Sequence, residues 1–379
     1  MTECEDKPEL LIIYVAADAP GNKGGIYVLS LDPGAEKLNI VARNEEIPGP
    51  HYVRLGPAFR NLYAVSDSAT PGGPGETCSG MVSGFAVEDK GRRLVYVDSQ
   101  PTGGTTPCYV SVDPARRSLF VANFRGPEDL GSLARLPLTT DGRLKSAGSV
   151  RKRPGRSVHP TRQRCSHMHC AVPTADGRFL FAADLGTDAV VRFRLSSTEG
   201  QLEESSERTL EVAAGSGPRH IVFHPSQRFM FAVNEIANSV MMFSYDPAAG
   251  VPQLLQEVST LPEGYSGSSA CADIRVHPTG RSLYASNRGH DSIATFRVDE
   301  HAGLLELQQI HPCGGGTPRA FAISPDGAFM FVANQQSDAV VVFRIDARTG
   351  LIHPTGMETS VPVPVSLAVL PGGIADTGH

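Results

Sequence analysis

The chain has no tryptophan, no apolar run long enough to span a bilayer and no excess of basic charge. Each absence removes a class of protein. Without Trp there is no Trp-Asp signature of the kind carried by the commonest scaffold repeats. Without a stretch of eighteen apolar residues, nothing reads as a transmembrane helix. Lys and Arg number 34 against 40 Asp and Glu, a formal charge of −6. That balance argues against a nucleic-acid partner, because phosphate binding needs a basic face. Cysteine is sparse: seven residues, at 4, 78, 108, 165, 170, 271 and 313, an odd number without metal or disulfide spacing. The amino terminus, Met1 to Lys7, is acidic and lacks the charged-then-apolar order of a secretory leader. A reduced, cytoplasmic chain is the expectation. Helical periodicity is missing as well, since no long stretch repeats every 3.6 residues.

What is present is a repeat. Gly217-Pro-Arg-His-Ile-Val-Phe-His-Pro-Ser-Gln-Arg-Phe-Met-Phe-Ala-Val-Asn-Glu235 reads as two short strands joined by a turn at His224 to Gln227. Its second strand has the form apolar-aromatic-small-small-Asn/Asp. Seven copies end at Asp18, Asp67, Asn123, Asp184, Asn234, Asn287 and Asn334, with spacings of 49, 56, 61, 50, 53 and 47. A period near fifty with four strand-like segments per unit predicts an all-β fold, a seven-bladed β-propeller with four antiparallel strands per blade. Thirty-nine Gly and 29 Pro suit its many turns.

The first blade lacks one strand, and Val361 to Leu370 is a strand-like segment without a unit of its own. The expectation is that this C-terminal segment completes the first blade and closes the ring. One domain therefore covers 10–370, between an N-terminal tail at 1–9 and a disordered tail at 371–379. Ser68 to Gly80 reads as a Gly- and Pro-rich insertion, either plain surface or a loop covering a substrate. Lys145 to Arg164 holds Lys145, Arg151, Lys152, Arg153, Arg156, Arg162 and Arg164 with no acid among them. Such a run is ordinarily solvated surface, but on a rim it draws in anions.

Let A to D name the strands of a blade, with A nearest the channel. The A–B turns lie on one face, so the starts of A and the ends of B gather at the opposite mouth. His169 and Asp184 hold those places in blade four, Arg219 and Glu235 in blade five, Asp273 and Arg288 in blade six. Arg319 begins strand A of blade seven. His167 and His169 alternate on one strand face and could ligate a metal, but no third ligand has fitting spacing, so neither metal nor cofactor is expected.

The nonapeptide Gly217 to Pro225, with Val233-Asn-Glu235, Ser286-Asn-Arg-Gly-His-Asp-Ser-Ile293, Ala183-Asp-Leu-Gly-Thr-Asp188 and Thr317-Pro-Arg319, resembles the propeller lactonase family across essentially the whole chain. That family includes cytosolic 6-phosphogluconolactonases and the eukaryotic 3-carboxy-cis,cis-muconate lactonizing enzymes. In the lactonizing branch the resemblance implies a catalytic His, two Arg and one Glu, which by motif are His169, Arg219, Glu235 and Arg288. His167, two positions before His169, is an alternative for the histidine. Tyr109 stands where a His commonly follows the Pro-Cys of blade three, and Asp273 where Glu is common; both departures bear on substrate identity.

The residues agree with such chemistry. Both implied substrates, a phosphorylated lactone or a tricarboxylate, are small multiple anions, and Arg binds carboxylate or phosphate through a planar fork. A histidine titrating near neutrality can serve as acid or base. Glu235 could take or position a second proton. His167, Asp184, Asp273 and Arg319 are the candidate substrate-binding groups, although an Asp in Asp-Leu-Gly-Thr-Asp is commonly a turn former. Hydrolysis of 6-phosphogluconolactone is the first expectation and muconate cyclisation the alternative. A non-catalytic scaffold is the third.

Overall fold

The computed structural model describes residues 10–68, 79–115, 117–126, 130–195, 201–202 and 208–371. Both expected tails, apart from Pro371, and most of the Ser68–Gly80 insertion lie outside these residues. The described strands form seven four-stranded antiparallel sheets, arranged as a seven-bladed propeller. First strands of successive blades neighbour one another around the channel. Each second strand is sandwiched between neighbouring blades. Phe229–Asn234 and Phe329–Asn334 are accordingly buried along their whole length, and they read as continuous apolar runs rather than alternating ones. Outer strands such as Val251–Ser259 are mostly exposed.

The ring closes as the spacing predicts. Pro364–Leu370 pairs antiparallel with Leu11–Ala17, from Ile12 opposite Leu370 to Ala17 opposite Pro364, and supplies the innermost strand of blade one. Pro364 sits at the strand's first position, where its missing N–H costs no ladder bond. Joining both ends of the chain in one sheet removes two open edges.

The Asn or Asp that ends each second strand has a structural task. Asn287 accepts from the Thr260 hydroxyl at 2.7 Å and donates to the Thr260 carbonyl at 3.0 Å, tying its blade to the outgoing strand of the preceding one. Asn123 makes the same pair of bonds with Thr102. On the opposite face, His224 meets the Gly280 carbonyl of the next blade at 2.9 Å. Gly280 has φ +79, and a Cβ there would lie 2.4 Å from His224 Nε2, so the latch requires glycine on both counts.

One irregularity places the functional residues. In blades three to seven the first strand slips register near its start: around Cys108, His169, Arg219, Ala272–Asp273 and Arg319. A bulge adds a residue and re-aims side chains. Here it recurs at one mouth of the channel, blade after blade.

Candidate active site

Glu235 stands at the centre of this mouth. It follows the last residue of Phe229–Asn234, while Arg219 is the bulged residue of the paired strand Pro218–Phe223. Hairpin register brings them together: Arg219 Nε lies 2.9 Å from Glu235 Oε2. From blade six, Arg288 Nη2 reaches the same oxygen at 2.9 Å, and Arg162 bonds the other oxygen. Side-chain exposures are 2% for Glu235, 4% for Arg219, 18% for Arg288 and 41% for Arg162. Burial alone would raise the Glu235 carboxyl, but Arg288, Arg219 and Arg162 outweigh it and hold it down at about 2. Burial and Arg288 draw Arg219 down to about 10, which leaves it charged at neutral pH.

Beneath Arg219, the candidate Asp273 is paired with His220, which was not among the candidates. Arg219 Nη1 donates to His220 Nε2 at 3.1 Å, and His220 Nδ1 donates to Asp273 Oδ1 at 2.9 Å. Since Arg cannot accept, the contacts fix the tautomer with the proton on Nδ1. Burial and Arg219 push His220 down to about 4, so the imidazole is neutral. Asp273 also accepts from Arg275 at 2.9 Å, and burial there is overcome by Arg275 and His220, holding its carboxyl well below the usual range. Its oxygens are spent on the protein, so Asp273 supports Arg219 from below. The available signal for His220 was its place inside the Pro-Arg-His motif, one residue after the bulge.

His169 is buried beside this network. Its ring lies 5.4 Å from that of His220 and 5.5 Å from that of Phe124, and its Nδ1 is 3.7 Å from the Cys108 thiol. Burial, then Arg219 and His220, lower its pKa well below 6.5. His167 stacks on the other side, 4.2 Å from Phe124 with rings 6° apart, and its Nδ1 donates to the Phe124 carbonyl. Burial lowers His167 also. Asp184 holds this segment in place: it accepts from the His167 N–H at 2.8 Å, the Ser166 hydroxyl at 2.7 Å and the Gly186 N–H at 3.1 Å. With Arg153 3.3 Å away, its carboxylate too is committed to the chain. The basic interval is therefore docked on the mouth, not merely solvated. Arg162 pairs with Glu235, Arg153 with Asp184, and Gln163 and Ser157 with Asp188.

Arg319 differs from the other arginines. Its guanidinium has no hydrogen bond or ion pair among the described residues, yet Arg288 and Glu235 are close enough to perturb it. Four guanidiniums thus converge near the ionised Glu235, with Asp18 a second carboxyl acting on Arg319, which leaves a positive excess at the mouth.

The three buried imidazoles of this mouth, those of His167, His169 and His220, make stability depend on pH. Each has a folded pKa below the unfolded value of about 6.5. Above that value their burial costs nothing in protons. As the pH falls below about 6.5 the unfolded chain binds protons that the folded chain refuses, and stability is lost down to the folded pKa, about 4 for His220. The thermal midpoint is expected to fall between pH 7 and 5, ahead of most carboxylate titration. A midpoint that is flat over that interval would show that the imidazoles are not buried neutral.

Comparisons with known proteins match the chain over nearly the whole propeller. A family profile described as a lactonase, seven-bladed β-propeller, matches residues 12–369. A 6-phosphogluconolactonase of Bacillus subtilis is 31% identical over 308 residues, covering 81% of this chain and 83% of its own length. A 6-phosphogluconolactonase of Formosa agariphila is 28% identical, covering 79% and 82%. The solved structure of a periplasmic gluconolactonase from Pseudomonas aeruginosa superimposes with a TM-score of 0.88 at 31% identity, covering 96% of this chain and all of the other.

Proposed function

We propose a ring-opening reaction on a phosphorylated lactone for this chain, which belongs to the lactonase family of seven-bladed β-propellers. The substrate that fits best is 6-phosphogluconolactone, hydrolysed to 6-phosphogluconate. The observation carrying this reading is the positive excess at the mouth, above all the partnerless guanidinium of Arg319. Arg162, Arg219 and Arg288 already share one carboxylate, whereas Arg319 is available to an incoming anion. A phosphate dianion makes stronger use of such a group than a neutral sugar lactone does.

In this mechanism Arg288 and Arg219 polarise the lactone carbonyl, and water attacks the carbonyl carbon. His169, neutral at the working pH, takes the proton of that water. The tetrahedral species collapses by breaking the bond to the ring oxygen, which receives the proton back, so one water is consumed per ring opened. Glu235, with a pKa of about 2, is too weak a base for this transfer. Its role is to hold the arginines in register. Asp273 and His220 brace Arg219 from the other side.

Arg319→Ala tests the phosphate assignment. The expected result is a rise in KM of roughly tenfold or more for 6-phosphogluconolactone, as befits one lost charge-assisted contact. The KM for unphosphorylated gluconolactone should move little. Equal effects on both substrates would take the phosphate away from Arg319. A carboxymuconate would present its carboxylates to the same cations, so its cyclisation belongs in the same assay; faster cyclisation than lactone hydrolysis would reverse the substrate assignment. Five described cysteines are free thiols, which suits a reducing compartment and supports a cytoplasmic location. Among the described residues no helix is long and apolar enough to cross a membrane.

A further inference from the structure

At the opposite mouth, where the turns between first and second strands gather, a cavity of about 540 Å³ opens into the channel. That volume falls within the roughly 300–1,000 Å³ of small-molecule sites. Arg54 of blade two and Arg275 of blade six line it, and no Asp or Glu does. Arg275 is held in place from behind. Its Nη2 donates to Asp273 at 2.9 Å and to the Tyr52 hydroxyl at 3.3 Å, and its Nε donates to the Phe321 carbonyl at 3.2 Å. Arg275 Nη1 has no partner among the described residues, and neither has the exposed guanidinium of Arg54. The remaining wall is largely apolar, with Phe59, Val112, Ile323 and Leu367 contributing.

We propose that this cavity binds a small organic anion, its carboxylate or phosphate head on Arg54 and Arg275 and its compact apolar body against that wall. One guanidinium is pre-positioned by three hydrogen bonds, so little entropy is lost when it engages the head. The second is exposed and free to close over it. A purely inorganic ion would leave the apolar wall unused, and a neutral apolar molecule would leave Arg54 without a counter-charge and Arg275 Nη1 without an acceptor. The site opens at the mouth opposite Glu235, with Asp273 bonded to both Arg275 and His220 between the two, and it does not depend on the lactonase reading.

Because the chain has no Trp, Phe59→Trp places a single fluorescent reporter at this mouth. Titration with benzoate and with phenyl phosphate is expected to give a saturable change for at least one of them, and the tighter of the two identifies the head group. Benzyl alcohol, with the same ring and no charge, should bind at least tenfold more weakly. Arg54→Glu in the same background should weaken anion binding by about tenfold or more, with thermal midpoint and lactone turnover unchanged. Calorimetry on the chain without the reporter, with and without Arg54→Glu, gives the same comparison should the tryptophan disturb the turn. Absence of a saturable response to both anions, equal affinity for benzyl alcohol, or equal affinity in Arg54→Glu would each overturn the proposal.

Discussion

Glu235→Gln is expected to be the most damaging single change at the site, costing the fold about 3–5 kcal/mol and turnover more than about a hundredfold. The change removes one charge but strands several. Arg219, 4% exposed, and Arg288, 18% exposed, both rest on Glu235 Oε2 at 2.9 Å, and neither can move freely into water. Breaking a buried ion pair from one side leaves an uncompensated charge, which costs more than the pair contributed. Arg162→Ala offers the control. With 41% of its side chain exposed, its share is screened, and a loss below about 1 kcal/mol is expected. The pH dependence supplies a second check. A carboxyl whose folded pKa is about 2, against an ordinary 4.5, stabilises the fold above about pH 4.5 and loses that contribution as pH falls through 2. The gap in thermal midpoint between the unsubstituted protein and Glu235→Gln should therefore narrow below about pH 4.5. A variant as stable as its parent at pH 7 would sink the idea that the carboxylate organises the mouth.

His169→Asn is expected to lower turnover by about 10²–10⁴-fold while a non-hydrolysable substrate analogue still binds. His167→Asn should have a smaller effect, because the His167 ring is occupied with Phe124, stacked on its face and bonded to its carbonyl. Binding has to be measured directly, since KM equals a dissociation constant only when chemistry is slow. The acid limb of kcat/KM should lie well below pH 6.5, since burial, Arg219 and His220 all disfavour the protonated form of His169. Near-parental turnover in His169→Asn would remove it from the mechanism. An acid limb at 6.5 or above would remove His167 as well, because burial lowers that residue too.

Much of this site was legible from local order in the chain. Arg219 and Glu235 belong to one hairpin, so strand pairing alone brings them to the same end, and they meet at 2.9 Å. Arg288 could be placed at the same mouth by its equivalent position in the next blade, but its contact with Glu235 could not. Arg162 and His220 were visible, but their partners were not, for related reasons. Arg162 looked like one cation in a basic run, and it finds its carboxylate 73 residues away. His220 sits beside the bulge, which alters the strand's alternation, and its partner Asp273 is 53 residues distant on another blade. Asp184 and Asp273 were placed at the mouth correctly in position, but their oxygens are taken up by the chain.

The sequence by itself determined the number of blades and the closing strand, because each second strand carries a periodic signal and each must be buried on both faces. It also determined which mouth of the channel gathers His, Arg and Glu, since antiparallel connection puts equivalent positions on the same face. Only the tertiary structure decided which groups are charged and which are spent. Protonation depends on burial and on charges a few ångströms away. At this mouth those charges come from different blades, and their separations arise only when the ring closes.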